Sequence, residues 1–232
     1  MKALLTYVDT KSEEYARLPL FDYLKDDSRS ARERLGFVPC LAHFVMSFAD
    51  LYGLVLRNEP STDRFQELVN AHTFEDGGHW KWFLADLAAL DLNPSLSFGD
   101  ALRFLWGDRT AKTRMLTYRM CRLGFGASTL EKLVLVHCIE AAGKVSLAAA
   151  APVAIQVGRE LGRNLLYFGS HHLDTEKQHT LEEEAVHQSL EGIVLESSIR
   201  APLLTLIDDS FAAFTEFSDD LLRFTLGDKS IR

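Results

Sequence analysis

Three residues, His172, Glu176 and His179, stand at i, i+4 and i+7. On a helix of 3.6 residues per turn that spacing stacks all three on one face. Two imidazoles and a carboxylate converging on one point make a metal-ligand set. Imidazole and carboxylate with open coordination positions suit non-haem iron, and the same ligand types accept manganese or zinc. Helix-borne metal sites draw on several helices, so this triad requires partners elsewhere in the chain.

A second cluster lies in His72-Thr-Phe-Glu-Asp-Gly-Gly-His79. Glu75 and His79 are i, i+4 neighbours on a helix, and His72 lies one further turn back on much the same face. Gly77 and Gly78 cost about 1 kcal/mol each relative to alanine inside a helix. They imply either a close approach or distortion within one helix, or a short loop before a new helix at His79. The third element is Glu140, in Leu133-Val-Leu-Val-His-Cys-Ile-Glu140, with apolar neighbours on every side. A buried carboxylate must pair, coordinate or stay protonated, and Lys144 at i+4 and His137 at i−3 are its local alternatives to a metal.

Together Glu75, His79, Glu140, His172, Glu176 and His179 offer three carboxylates and three histidines. Two metal ions bridged by carboxylates need about this many ligands while leaving positions open for dioxygen or substrate. His72 is the alternate or additional ligand. His43 reads as a core histidine, His171 as a packing or supporting residue turned about 100° from His172, and His187 as part of a solvated face after Glu182-Glu-Glu184. Trp80, Trp82, Phe83, Phe98, Phe104 and Trp106 read as core packing or as the wall of a substrate cavity.

The elements that must position these residues are helical throughout, because no stretch alternates with period two long enough for a strand. Short pieces are expected over Lys11–Asp26, broken by Pro19. A helix from Ser28 is kinked or divided at Pro39, another spans about Asp63–Leu90, and a shorter one Ser97–Trp106. Thr110–Leu123 follows. Ser128 with Glu131 signals a capping box for a buried helix from Thr129 to about Gly158. A helix carrying the triad and a last one over about Ser197–Leu226 complete an all-α bundle of roughly seven to nine helices. It reads as one domain over residues 1–232, with 1–27 an N-terminal extension and 228–232 a frayed tail.

Apolar residues make up 47% and charged residues 25% of the 232, ordinary for a soluble globular chain. The formal net charge of −8, without a Lys/Arg cluster, argues against nucleic acid as a partner. Leu133–Ile155 is apolar but carries His137, Glu140, Lys144 and Pro152, which suits a buried core helix better than a membrane span. The start of the chain lacks a secretory h-region, and the three widely spaced cysteines, Cys40, Cys121 and Cys138, read as reduced thiols, so the cytoplasm is expected.

At these residues the sequence resembles the haem-oxygenase-like superfamily, which includes the TenA thiaminase-like proteins and pyrroloquinoline quinone synthase. More narrowly it resembles the non-haem diiron oxidases and oxygenases of that fold. Their pattern is a Glu and a His on one core helix, a Glu on a second, and His-x-x-x-Asp/Glu-x-x-His on a third. His172-Leu-Asp-Thr-Glu176-Lys-Gln-His179 matches the last motif, and the resemblance covers Pro39 to Glu184. Members often separate the first Glu and His by six residues, a register that here holds His72, so Glu75 is the carboxylate substitute.

The resemblance implies two irons, dioxygen as co-substrate and a small organic substrate, and homodimers are common among proteins of this kind. A metal-free enzyme of the same fold, quinone-synthase-like or thiaminase-like, is the alternative. Cys138, turned about 160° from Glu140, is poorly aimed as its nucleophile. A non-catalytic helical interaction protein is the third reading.

Overall fold

A computed structural model of the chain describes residues 1–176, 188 and 190–227, without the side chain of Glu176. Among the described residues there is no strand, and the protein is an all-α bundle. Among the described residues eight helices have nine residues or more: α1 (Lys2–Tyr15), α4 (Ala42–Asp50), α5 (Arg64–Asp76), α6 (Trp80–Ala89), α7 (Phe98–Trp106), α8 (Ala111–Gly124), α9 (Thr129–Leu161) and α11 (Ser197–Thr225). Shorter ones are α2 (Pro19–Lys25), α3 (Ala31–Arg34) and α10 (Ser170–Glu176).

The centre of the bundle is α9, which packs against α1, α2, α5 and α11. Its sequence is apolar nearly all round, and such a helix is stable in water only when covered on every side. The capping box starts it: Ser128 Oγ accepts from the Glu131 N–H, and the Glu131 carboxylate accepts from the Ser128 N–H at 2.7 Å. Gly162, left-handed at φ 62°, ends it. By length and composition alone, both α9 and the stretch Ala31–Leu56 could cross a membrane. In the fold α9 buries Leu133 to Val136, Cys138, Ile139, Ala150, Ala151, Val153, Ala154 and Val157 against other helices.

Across from it α11 buries Leu203, Ile207, Phe211, Phe214, Phe217 and Leu221 on one stripe. Each such side chain contributes about 1.5–3 kcal/mol. Residues 1–27 are no appendage. Leu4, Val8 and Tyr15 share a face of α1 and are buried with Leu5 against α9 and α11, while α2 buries Leu20, Phe21 and Leu24. A periodicity begun at Lys11 misses the Leu4–Val8 half of that face. Residues 228–232 lie outside the described residues.

Two breaks in the helices shape the site. Pro39 divides the helix expected from Ser28: Ser30 caps the single turn of α3, Pro39 opens a 3-10 turn, and α4 resumes at Ala42. That helix then widens into a π-helical turn at Leu51–Leu56, where the Arg57 N–H reaches the Tyr52 carbonyl at 2.9 Å. The helix expected over Asp63–Leu90 is likewise broken, α5 ending at Asp76 and α6 starting at Trp80. Between them the bonds are of i→i+3 type, His79 N–H to Asp76 O and Lys81 N–H to Gly78 O, both 3.2 Å. Consecutive glycines make the four-residue repeat too weak to hold there.

Candidate metal centre

The break after α5 decides which carboxylate faces inward. His72 and Asp76 lie one turn apart on the buried side of α5, and α9 presents Glu140 to the same point. His72 Nε2 is 3.0 Å from Glu140 Oε1 and 3.3 Å from Asp76 Oδ2. One donor atom from each of His72, Asp76 and Glu140 lies within 4.8 Å of the other two. The Asp76 side chain is 3% exposed. Glu75 instead approaches the other ring nitrogen, Nδ1 of His72, at 3.9 Å, and its side chain is 29% exposed.

A second group adjoins the first. His172 Nε2 lies 3.0 Å from His79 Nδ1, and His79 Nδ1 lies 3.6 Å from Asp76 Oδ1. Asp76 therefore stands between two halves, Oδ2 toward His72 and Oδ1 toward His79. His79 stacks on Trp82, with ring centroids 4.3 Å apart, and His171 meets the same indole edge-on at 4.7 Å. His171 thus braces the site through Trp82. His43 bonds Thr117 away from the site, and His187 lies outside the described residues.

Tautomer follows from partners. His172 Nδ1 is 2.9 Å from the Tyr167 carbonyl oxygen, which can only accept, so Nδ1 carries the proton and the Nε2 lone pair faces His79. Metal-binding histidines are commonly fixed in this way. The Tyr167 carbonyl is held in turn by Asp86, a fully buried carboxylate that accepts the N–H groups of Leu166, Tyr167 and Phe168 at 2.6, 2.9 and 3.0 Å. Burial pushes the Asp86 carboxyl upward, and the three N–H groups oppose it. Tyr52, from the π-helical turn, donates to Glu140 Oε1 at 3.3 Å. Such turns recur at functional sites.

Burial is the largest influence on His72 and lowers its pKa, yet the carboxylates of Glu140 and Asp76 outweigh it and hold the ring up at about 11. The imidazolium is the cation that lets two buried carboxylates stand together. Those oxygens, with the imidazole nitrogens beside them, are also the donor types a divalent transition metal needs. The donor set therefore fits a metal.

Of the residues expected as ligands, His72, His79, Glu140 and His172 are brought together and Glu75 sits at the rim. His179 and the Glu176 side chain lie outside the described residues. Asp76 stands outside the expected set, although the sequence carries a signal for it: His72-x-x-x-Asp76-x-x-His79 repeats the spacing of His172-x-x-x-Glu176-x-x-His179. Tyr52 and Asp86 carry no such local mark.

The cluster forms one end of a cavity of about 130 Å³ lined by Phe21, Phe44, Phe48, Phe214 and Phe217. Of the aromatic residues noted beside His79, Trp80 is the one in its wall, while Phe98 and Trp106 are exposed. Cys138 is buried outside the cavity lining, and burial pushes its thiol far upward, so it is no nucleophile for the site. Neither the protein-family models nor the curated proteins compared with the chain give a match.

Proposed function

We propose that this protein is a metal-dependent oxidase or oxygenase of the haem-oxygenase-like helical class, acting on a small organic molecule in the apolar cavity. The observation that supports it is the place of Asp76, whose two oxygens address His72 with Glu140 on one side and His79 with His172 on the other. A carboxylate so placed suits a pair of ions, which the motif would complete with Glu176 and His179. Iron bound there would supply the redox chemistry by which dioxygen reacts with an organic substrate; manganese and zinc share the ligand preference.

The chain's own contributions are specific. Tyr52 holds Glu140 by its hydroxyl, the Tyr167 carbonyl keeps the His172 lone pair aimed inward, and the phenyl rings exclude water from the reacting end. The reading places the protein in the cytoplasm, without nucleic-acid or membrane partners.

The test is anaerobic loading of metal-free protein with iron(II), metal analysis, and then exposure to oxygen. About two irons per chain, oxygen consumption and a transient absorbing species are expected. Iron-free protein that consumed oxygen as fast as loaded protein would sink the proposal.

A further inference from the structure

Along α9 the cavity wall runs from Ile139 to Ala150, about 16 Å at 1.5 Å per residue. The ligand cluster closes the end near Glu140. Farther along, three helices each place one hydroxyl in the wall: Tyr15 of α1, Ser146 of α9 and Ser218 of α11. Tyr15 Oη lies 2.7 Å from Ser218 Oγ and 3.3 Å from Ser146 Oγ. The Ser146 proton is committed to the Ala142 carbonyl at 2.9 Å. Apart from these hydroxyls and the ligand cluster the lining is mainly phenyl and aliphatic.

The chemistry of that end is selective. A hydroxyl oxygen has one proton and two lone pairs. With one proton spent on a backbone carbonyl and another shared between Tyr15 and Ser218, the three oxygens are richer in acceptors than in donors. An O–H group from a ligand can donate into them and still accept. A carboxylate would be buried against three neutral groups, which is costly without a counter-ion. Lys144, the one lysine among the described lining residues, shares the Glu140 face of α9 and is turned about 160° from Ser146. A dry apolar cavity of about 150 Å³ admits benzene, so about 130 Å³ suits a ring or short alkyl chain of that order.

We propose that Tyr15, Ser146 and Ser218 form a subsite for the hydroxyl of a small neutral alcohol or phenol, whose apolar body lies against the phenyl rings and whose far end faces the ligand cluster. That the far end reacts rests on the proposed function. The subsite stands on the cavity alone.

The experiment is calorimetric titration of the metal-free full chain with benzyl alcohol, toluene and benzoate, which share a ring and differ in the end group. Tyr15→Phe and Ser146→Ala are the variants. The serine change is the milder one, since its hydroxyl bonds its own helix, and it decides the matter should Tyr15→Phe fail to fold. Each substitution is expected to weaken benzyl alcohol about two- to tenfold, the worth of one hydrogen bond. Toluene should bind both variants as it binds the parent, and benzoate should bind more weakly than benzyl alcohol. Equal effects on alcohol and toluene, an unchanged alcohol affinity, or preferred binding of benzoate would each overturn the subsite. Because no metal is present, a chain that fails to load iron still answers this question, and a loaded chain indifferent to the hydroxyl loses the subsite alone.

Discussion

The Nδ1–H of His172 points at the carbonyl oxygen of Tyr167 across 2.9 Å, and this contact decides which nitrogen of His172 faces the cluster. The carbonyl is not free to drift. Its peptide segment, residues 166–168, is pinned by three N–H groups converging on Asp86, which α6 carries into the core. The same helix begins beside His79 and carries Trp82, on which His79 stacks. A single short helix thus sets the orientation of both imidazoles in one half of the site.

The first prediction concerns that chain of positioning. Asp86→Asn keeps the volume of the side chain but sets an NH2 group against at least one backbone N–H. The segment at Tyr167 should loosen and the His172 tautomer lose its anchor. Metal affinity is expected to fall about 10- to 100-fold, the usual cost of losing an outer partner of a histidine ligand, with circular dichroism unchanged. Competition of metal-free protein against a chromophoric chelator measures it. Undiminished affinity would show that His172 does not need Asp86.

The two carboxylates of α5 make opposite forecasts. Asp76 lies between the two imidazole groups and Glu75 at their rim. Asp76→Asn should cut bound metal by at least about tenfold, the lower end of what the loss of an outer partner alone costs in affinity, while Glu75→Gln should leave it within about twofold. Metal analysis of the two variants after identical loading and desalting separates them. The reverse pattern would restore Glu75 as the ligand.

What the sequence made legible here follows the range of each interaction. Ser97 and Ser128 with Glu131 act within one turn of their own helices, and the starts of α7 and α9 fall where those residues put them, whereas α9 runs past its expected end at Gly158 to Leu161. The phenylalanine and leucine stripe of α11 needs only a period of 3.6. Asp86 bonds residues 80 to 82 positions away, so no window around it announces the role. Asp76 was obscured differently. Reading Gly77 and Gly78 as helix interior favoured Glu75, four residues before His79, whereas the broken turn leaves Asp76 beside His72 and His79.

Acid should weaken the junction of α8 with α11. Glu216 accepts from Arg119 at 2.8 and 3.0 Å and from Lys112 at 2.9 Å, and these bonds hold its carboxyl down at about 2. In the unfolded chain the group takes its proton near 4.5. Between those values the unfolded state binds the proton and the folded state does not. The stabilisation is therefore full above about pH 4.5 and is lost as pH falls toward 2. The three side chains are 36–45% exposed, so solvent screening keeps the contribution within about 1 kcal/mol. Urea titrations of the parent and Glu216→Gln from pH 6 to 2.5 should converge as pH falls. A constant gap across that range would mean the carboxylate's charge is not what ties the two helices.

Gly143 tests whether the space along α9 is used. It sits in the middle of the helix, lines the cavity, and a Cβ built on it meets nothing within 4 Å. Glycine there costs about 0.5–1 kcal/mol against alanine through backbone freedom, a cost that packing does not require. Gly143→Ala should accordingly raise the melting temperature by about 1–4 °C for a chain of this size while narrowing the cavity by one methyl. Gly143→Leu sends a larger side chain into the same space. Toluene binding by calorimetry should then be lost, with the fold retained by circular dichroism and the metal content unchanged, because a Cβ at 143 has no donor atom within 4 Å. Were Gly143→Leu to bind toluene as the parent does, small ligands would have to occupy some other part of the protein, and the glycine would need a different explanation.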